Sequence, residues 1–156
     1  MMTADKSRAV RAILLGGLIA GTIDISYACI FSYLRRGTKP VRILQSVASG
    51  ALGQDAFKGG VKTAALGLLF HFLISTIAAT VYYLASRPLR FLVKQAIICG
   101  PLYGICIYLV MNFVVLPLSA IGSRPALPLP VLISGLLIHM FGIGLPIALI
   151  VRRYSR

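Results

Sequence analysis

Four runs of about 20 mostly apolar residues, laid along the chain without overlap, constrain it more than any other feature. They cover 12–34, 64–84, 95–116 and 131–151, more than half of the 156 residues. A helix of that length rises about 30 Å, the thickness of a bilayer's hydrocarbon core, so each run reads as a transmembrane helix. A composition that is 58% hydrophobic and 12% charged agrees, being too apolar for a soluble fold of this length. The fold class expected is an all-α integral membrane protein, a four-transmembrane-helix bundle forming one membrane domain over 1–156. The first run follows a short charged stretch and has no suitably placed small-residue cleavage site, which reads as a retained span rather than a signal peptide.

Sixteen Lys and Arg against three Asp give a net charge of +13. Such an excess raises the question of nucleic acid, and the positions answer it. Nearly all the cations flank spans: Lys6, Arg8 and Arg11, then Arg35, Arg36, Lys39 and Arg42, then Arg87, Arg90 and Lys94, then Arg152, Arg153 and Arg156. Cations so placed anchor a protein against anionic headgroups, about 1 kcal/mol each. The partner implied is a bilayer with anionic headgroups, with no nucleic acid. Nine cations fall on the side of the two termini and the 85–94 loop and seven on the other, so the positive-inside rule puts both termini in the cytoplasm. Cys29, Cys99 and Cys106 lie inside spans without metal-ligand spacing and read as small buried hydrophobes.

The first loop is too long for a mere turn. Ile43, Leu44, Val47, Ala48, Ala51 and Leu52 recur at helical spacing behind Pro40, a residue suited to a first turn. A short interfacial helix over 40–52 is expected, with Arg42 and Gln45 facing outward. Glycines 50, 53, 59 and 60 then interrupt the chain before the second span. The last loop, 119–130, contains Pro125, Pro128 and Pro130 and is expected to be extended and stiff.

Two segments repeat. Gly67-Leu-Leu-Phe-His71 in the second span matches Gly135-Leu-Leu-Ile-His139 in the fourth, and Gly17-x-x-x-Gly21 in the first matches Gly100-x-x-x-Gly104 in the third. Two helix pairs related by an axis along the membrane normal give such a pattern, and so does chance recurrence of common span residues. The glycines Gly17, Gly21, Gly67, Gly100, Gly104 and Gly135 are expected to pack helices closely, since lipid provides no hydrophobic push between them. A homo-oligomer through one of these seams is the further expectation.

Each seam carries a polar group. Gly17, Gly21, Asp24 and Ala28 form one stripe, Gly67, His71 and Ser75 a second, and Gly100, Gly104, Tyr108 and Asn112 a third. Measured from the face with the first and third loops, Asp24 lies roughly 15 Å deep, His71 about 10 Å, His139 about 12 Å and Asn112 about 6 Å. All four fall in one half of the bilayer. A carboxylate near mid-membrane is costly and marks a candidate functional site. Its natural partners are His71 and His139. Burial disfavours the charged form of each group and pairing favours it, so the cluster of Asp24, His71, Asn112 and His139, backed by Ser75 and Tyr108, is poised to bind or relay a proton or small cation. The bland alternative is that Asp24 bonds to Thr22, Ser26 or a backbone carbonyl and that the histidines lock helices together.

Two histidines at similar depth also raise bis-histidine haem ligation, with Gly67, Gly135 and Gly142 leaving room for a ring. No arginine inside the spans awaits the propionates, so no cofactor is assigned. Zinc would find only three ligands. No nucleophile elbow, phosphate-cradling loop or paired carboxylates occur, so no catalytic residue is assigned and an enzyme is unsupported.

These residues resemble a family. Gly16-Gly17-Leu18-Ile19-Ala20-Gly21, then His71, Ser75, Ala79 and Tyr82, then the run into Leu116-Pro117-Leu118, then His139 followed by Arg152-Arg153, are similar to the YagU-like bacterial inner-membrane proteins. The resemblance touches all four spans, and Asp24 and the glycine-rich first loop lie outside it. It implies a small multi-pass protein of the bacterial inner membrane and brings no established activity. The rival to the proton or cation reading is a non-catalytic scaffold that stabilises a partner protein.

Overall fold

The structure is a computed structural model that describes residues 2–122 and 128–155, with side chains from Lys6 onward. Every regular element among the described residues is helical. Helix α1 spans Met2–Arg36 and α2 spans Pro40–Leu52, followed by a 3-10 segment, Gly53–Lys58. Helix α3 is Gly60–Ser86, a one-turn helix Phe91–Lys94 follows, and α4 and α5 are Ala96–Leu118 and Leu129–Tyr154. Helices α1, α3, α4 and α5 are long and apolar enough to cross a membrane; α1 begins about ten residues before its predicted span, and every other boundary lies within four residues of the predicted one. Pro128 and Pro130 open α5, where a missing N–H costs nothing, and Pro125 lies outside the described residues.

The chain is a multi-pass membrane protein, and its surface is inverted accordingly. Leu18, Leu69, Ile97 and Phe113 are exposed, whereas the buried core is mostly alanine, with Tyr82, Ile147 and Val151 the largest fully buried side chains. Large apolar side chains belong outside when the solvent is hydrocarbon, and small ones inside where helices must touch. The cysteines divide: Cys99 is buried, as expected of all three, but Cys29 is only partly so and Cys106 is exposed.

Helix α1 packs on both α3 and α5, and α5 packs on α4. The Tyr103 hydroxyl of α4 donates to Ala78 O of α3 (2.7 Å), and the rings of Tyr82 and Tyr103 sit 5.0 Å apart, which closes the bundle. Gly37, at φ +64°, ends α1 in a left-handed turn that lets the Thr38 N–H reach back to Ser32 O (3.4 Å).

The two helix pairs share one antiparallel register. Gly17 lies against Thr76 and Gly21 against Phe72 and Ser75; in the other pair Gly100 lies against Gly144 and Leu145, and Gly104 against His139 and Met140. In each pair the second glycine of the small-residue seam is therefore level with the histidine or its neighbour. The two Gly-x-x-x-Gly segments occupy matching places in the packing, whereas Gly67 and Gly135 do not, the one facing α2 and the other Tyr108.

Helix α2 has the bounds expected, but Gln45 faces inward, a correction with a clear cause. Gln45 is buried, and its Nε2 donates to Gly60 O (3.0 Å) and Thr63 Oγ1 (3.4 Å), while Thr63 Oγ1 donates to Ala56 O (2.6 Å). Ala48 and Ser49 are buried beside it, and Val41 and Leu52 are exposed. An amide and small residues suit a contact with another helix, and Ile43, Leu44 and Val47 are only half-buried beside them. Arg42 does face outward, its guanidinium 4.1 Å from the centre of the Phe57 ring. Gly67 packs against Leu44 and Ala48 of α2 rather than against another span.

Two spans widen into π turns, Met111–Val115 in α4 and His139–Gly144 in α5. Each is followed directly by Leu-Pro, at Leu116-Pro117 and Leu145-Pro146. Proline has no N–H to donate and its ring crowds the carbonyl four residues back, so a turn with i→i+5 bonding relieves the clash.

Gly104→Ala should cost about 1–3 kcal/mol, because a methyl there strikes the His139 carbonyl, a backbone atom that has nowhere to go. Gly50→Ala should be neutral or stabilising, since its nearest neighbour would be Ser119 Cβ at 3.9 Å. Thermal unfolding in detergent separates the two; equal melting temperatures would contradict the packing described.

Candidate functional site

Glycine makes the site possible. Because Gly17 and Gly21 carry no side chains, α3 comes close enough for His71 Nε2 to bond Gly21 O at 2.8 Å, across two helices. A carbonyl only accepts, so Nε2 carries the proton of this bond and Nδ1 is the nitrogen left to exchange one. Ser75, buried one turn further on, donates to His71 O (2.9 Å) and steadies the backbone beneath it.

His139 is arranged the other way round. Its Nδ1 donates to Gly135 O within its own helix (2.8 Å), so Nε2 is its exchangeable nitrogen. Tyr108 meets the imidazole edge-on, ring centres 5.2 Å apart at 78°, and the bare face of Gly135 accommodates the tyrosine ring. His139 is also the first residue of the α5 π turn.

Asp24 sits on α1 one turn beyond Gly21, partly buried, and its carboxylate interacts electrostatically with both His139 and His71. Thr22 is not its partner, because that hydroxyl donates to Leu18 O (2.8 Å), and Ser26 is exposed. Gly142 brings α5 beside α1 at this level: a methyl there would come within 3.0 Å of Ile23 Cγ2. Counted from the helix ends on the side of the first and third loops, Asp24, His71 and His139 lie about 18, 17 and 15 Å deep, nearly one level.

Asn112 is not gathered in. It lies only about 9 Å deep on the same count, and its Nδ2 donates to Tyr108 O of its own helix (2.8 Å). A π turn begins one residue before it, at Met111. Among the described residues no three His, Cys, Asp or Glu side chains form a metal-ligand set. The histidines also do not fit a haem pair, since the Gly21 carbonyl occupies Nε2 of His71.

Gly144 is the packing residue that sequence reasoning missed. It lies against Gly100 O and Gly104, making the contact between α4 and α5 one of backbone on backbone. The signal was present as Gly142-x-Gly144 directly before Leu145-Pro146. The six glycines singled out from sequence all have close neighbours within the chain.

No family model, curated protein or solved structure matches the chain.

An electrostatic interaction between Asp24 and His139 should appear as coupling. In a double-mutant cycle, Asp24→Asn and His139→Gln should be non-additive by about 0.5–3 kcal/mol in unfolding free energy, whereas Asp24→Asn and Asn112→Ala should add to within about 0.5 kcal/mol. Additivity in both cycles would mean that Asp24 and His139 do not act together.

Proposed function

We propose that the chain binds and relays a proton within the membrane, through Asp24, His71 and His139. One observation carries this reading: a carboxylate on α1 and histidines on α3 and α5 lie at nearly one depth, and each imidazole has one nitrogen committed to a carbonyl and the other left for exchange. An intramembrane carboxylate is costly to keep without a use, and carboxylate and histidine chains are the usual proton relays of membrane proteins. A proton suits the site better than a metal cation, for which the described residues assemble no ligand set. Asn112 takes no part in this relay.

The rival reading is a scaffold in which the polar groups only lock helices, and the bond from His71 to Gly21 O favours it. The two differ in what Asp24→Asn does. In proteoliposomes with an imposed pH gradient and a trapped pH dye, the relay reading expects Asp24→Asn to lower proton flux at least about a hundredfold with the melting temperature preserved. Equal flux in both proteins, with a lower melting temperature in the variant, would establish the scaffold instead. The likeness to the YagU-like family supports placing the protein in a bacterial inner membrane, and the distribution of basic residues supports cytoplasmic termini. No chemical reaction is proposed.

A further inference from the structure

The end of the bundle that carries the second loop and the C-terminal residues holds a cleft of about 240 Å³, lined by Ser86, Arg87, Arg90, Val93, Lys94 and Ser155. Its walls are the last residues of α3, the one-turn helix Phe91–Lys94 with the turn before it, and the end of α5. This is a built wall: the buried Tyr82 hydroxyl donates to Leu92 O (3.0 Å), tying the turn that bears Arg90 and Lys94 to α3. The Arg87 guanidinium is held over the Tyr83 ring, 5.6 Å from its centre.

Three of the lining residues are cationic and two carry hydroxyls. Ser86 Oγ is engaged with Tyr83 O (2.7 Å), but Ser155 Oγ is buried and has no hydrogen-bond partner. A buried hydroxyl in that state is a cost that a bound acceptor removes. Of the described carboxylates, Asp24 lies mid-span and Asp55 lies at the opposite end of the bundle, paired with Lys58 at 2.8 Å, so neither neutralises this cleft. The volume is below the roughly 300–1,000 Å³ of a site for a drug-sized ligand, which points to a compact anion.

We propose that this cleft binds a phosphate group, held by the Arg90 guanidinium and the Lys94 ammonium and hydrogen-bonded by Ser155. Guanidinium matches phosphate oxygens in a two-pronged fork and ammonium adds a point charge. The cleft lies where the spans end, at the level of lipid headgroups, so the phosphate of an anionic lipid fits. The same chemistry serves free phosphate. The site is separate from the mid-membrane residues and stands whether or not they relay protons.

The test uses the full chain in detergent with phosphatidylcholine as the neutral background. Phosphatidylglycerol and inorganic phosphate are the two probes, and binding is read by native mass spectrometry and calorimetry. One saturable site is expected. R90Q/K94Q should weaken it about tenfold or more and Ser155→Ala about threefold, while K39Q/K62Q, an equal loss of charge at the other end, should change it less than about twofold. Arg90→Gln alone gives the same direction should the double variant assemble poorly. Binding of phosphatidylglycerol that inorganic phosphate does not displace identifies a lipid headgroup; displacement, or binding of phosphate alone, identifies the free ion. The proposal is overturned if neither probe saturates, or if K39Q/K62Q weakens binding as much as R90Q/K94Q.

Discussion

Everything in this bundle depends on backbones that touch. Hydrocarbon gives helices no reason to associate by burying apolar surface, so association rests on close van der Waals contact and on polar groups that lipid cannot satisfy. Gly100, Gly104 and Gly144 bring α4 against α5 with no side chain between, and Gly17 and Gly21 do the same for α1 and α3. The close approach has a chemical consequence as well as a structural one. It bares the Gly21 carbonyl, so a histidine on the neighbouring helix can bond to it. A side chain at Gly21 would meet Phe72 and the Ser75 hydroxyl first. Packing and polar site are thus two results of the same absent side chains.

The four spans were legible because length and hydropathy leave no other solution for such runs, and the limits of α2 were legible because Pro40 can open a helix and Gly53, at φ +59°, can close one. The orientation of α2 was not. Hydrophobic periodicity finds an apolar stripe, and in water that stripe faces the protein; here Gln45 faces the protein because an amide finds acceptors at Gly60 and Thr63 that lipid lacks. The pattern gives the period of a helix, and the solvent gives its sign. Reading α2 as interfacial put Gln45 outward, whereas Gln45 and Ala48 are both buried toward the protein.

The site was legible in part for a related reason. Asp24, His71 and His139 could be placed at similar depths from span ends alone, though not in their right order, and depth is almost independent of rotation about each helix axis. Asn112 was already the shallowest of the four by that count, and what the sequence could not show is that its amide turns back to the Tyr108 carbonyl of its own helix.

A π turn governs the backbone at His139. Pro146 follows the π turn that begins at His139, and Gly142 and Gly144 lie inside that turn, where they admit α1 and α4 respectively. Removing the glycines would push both helices off the turn; removing the proline would let it tighten toward an α-helix and rotate His139 relative to everything after it. Wide turns of this kind recur at functional sites because they hold a side chain and its carbonyl out of the regular ladder. The backbone at His139 is thus shaped by a proline seven residues away, together with two glycines that carry no chemistry of their own.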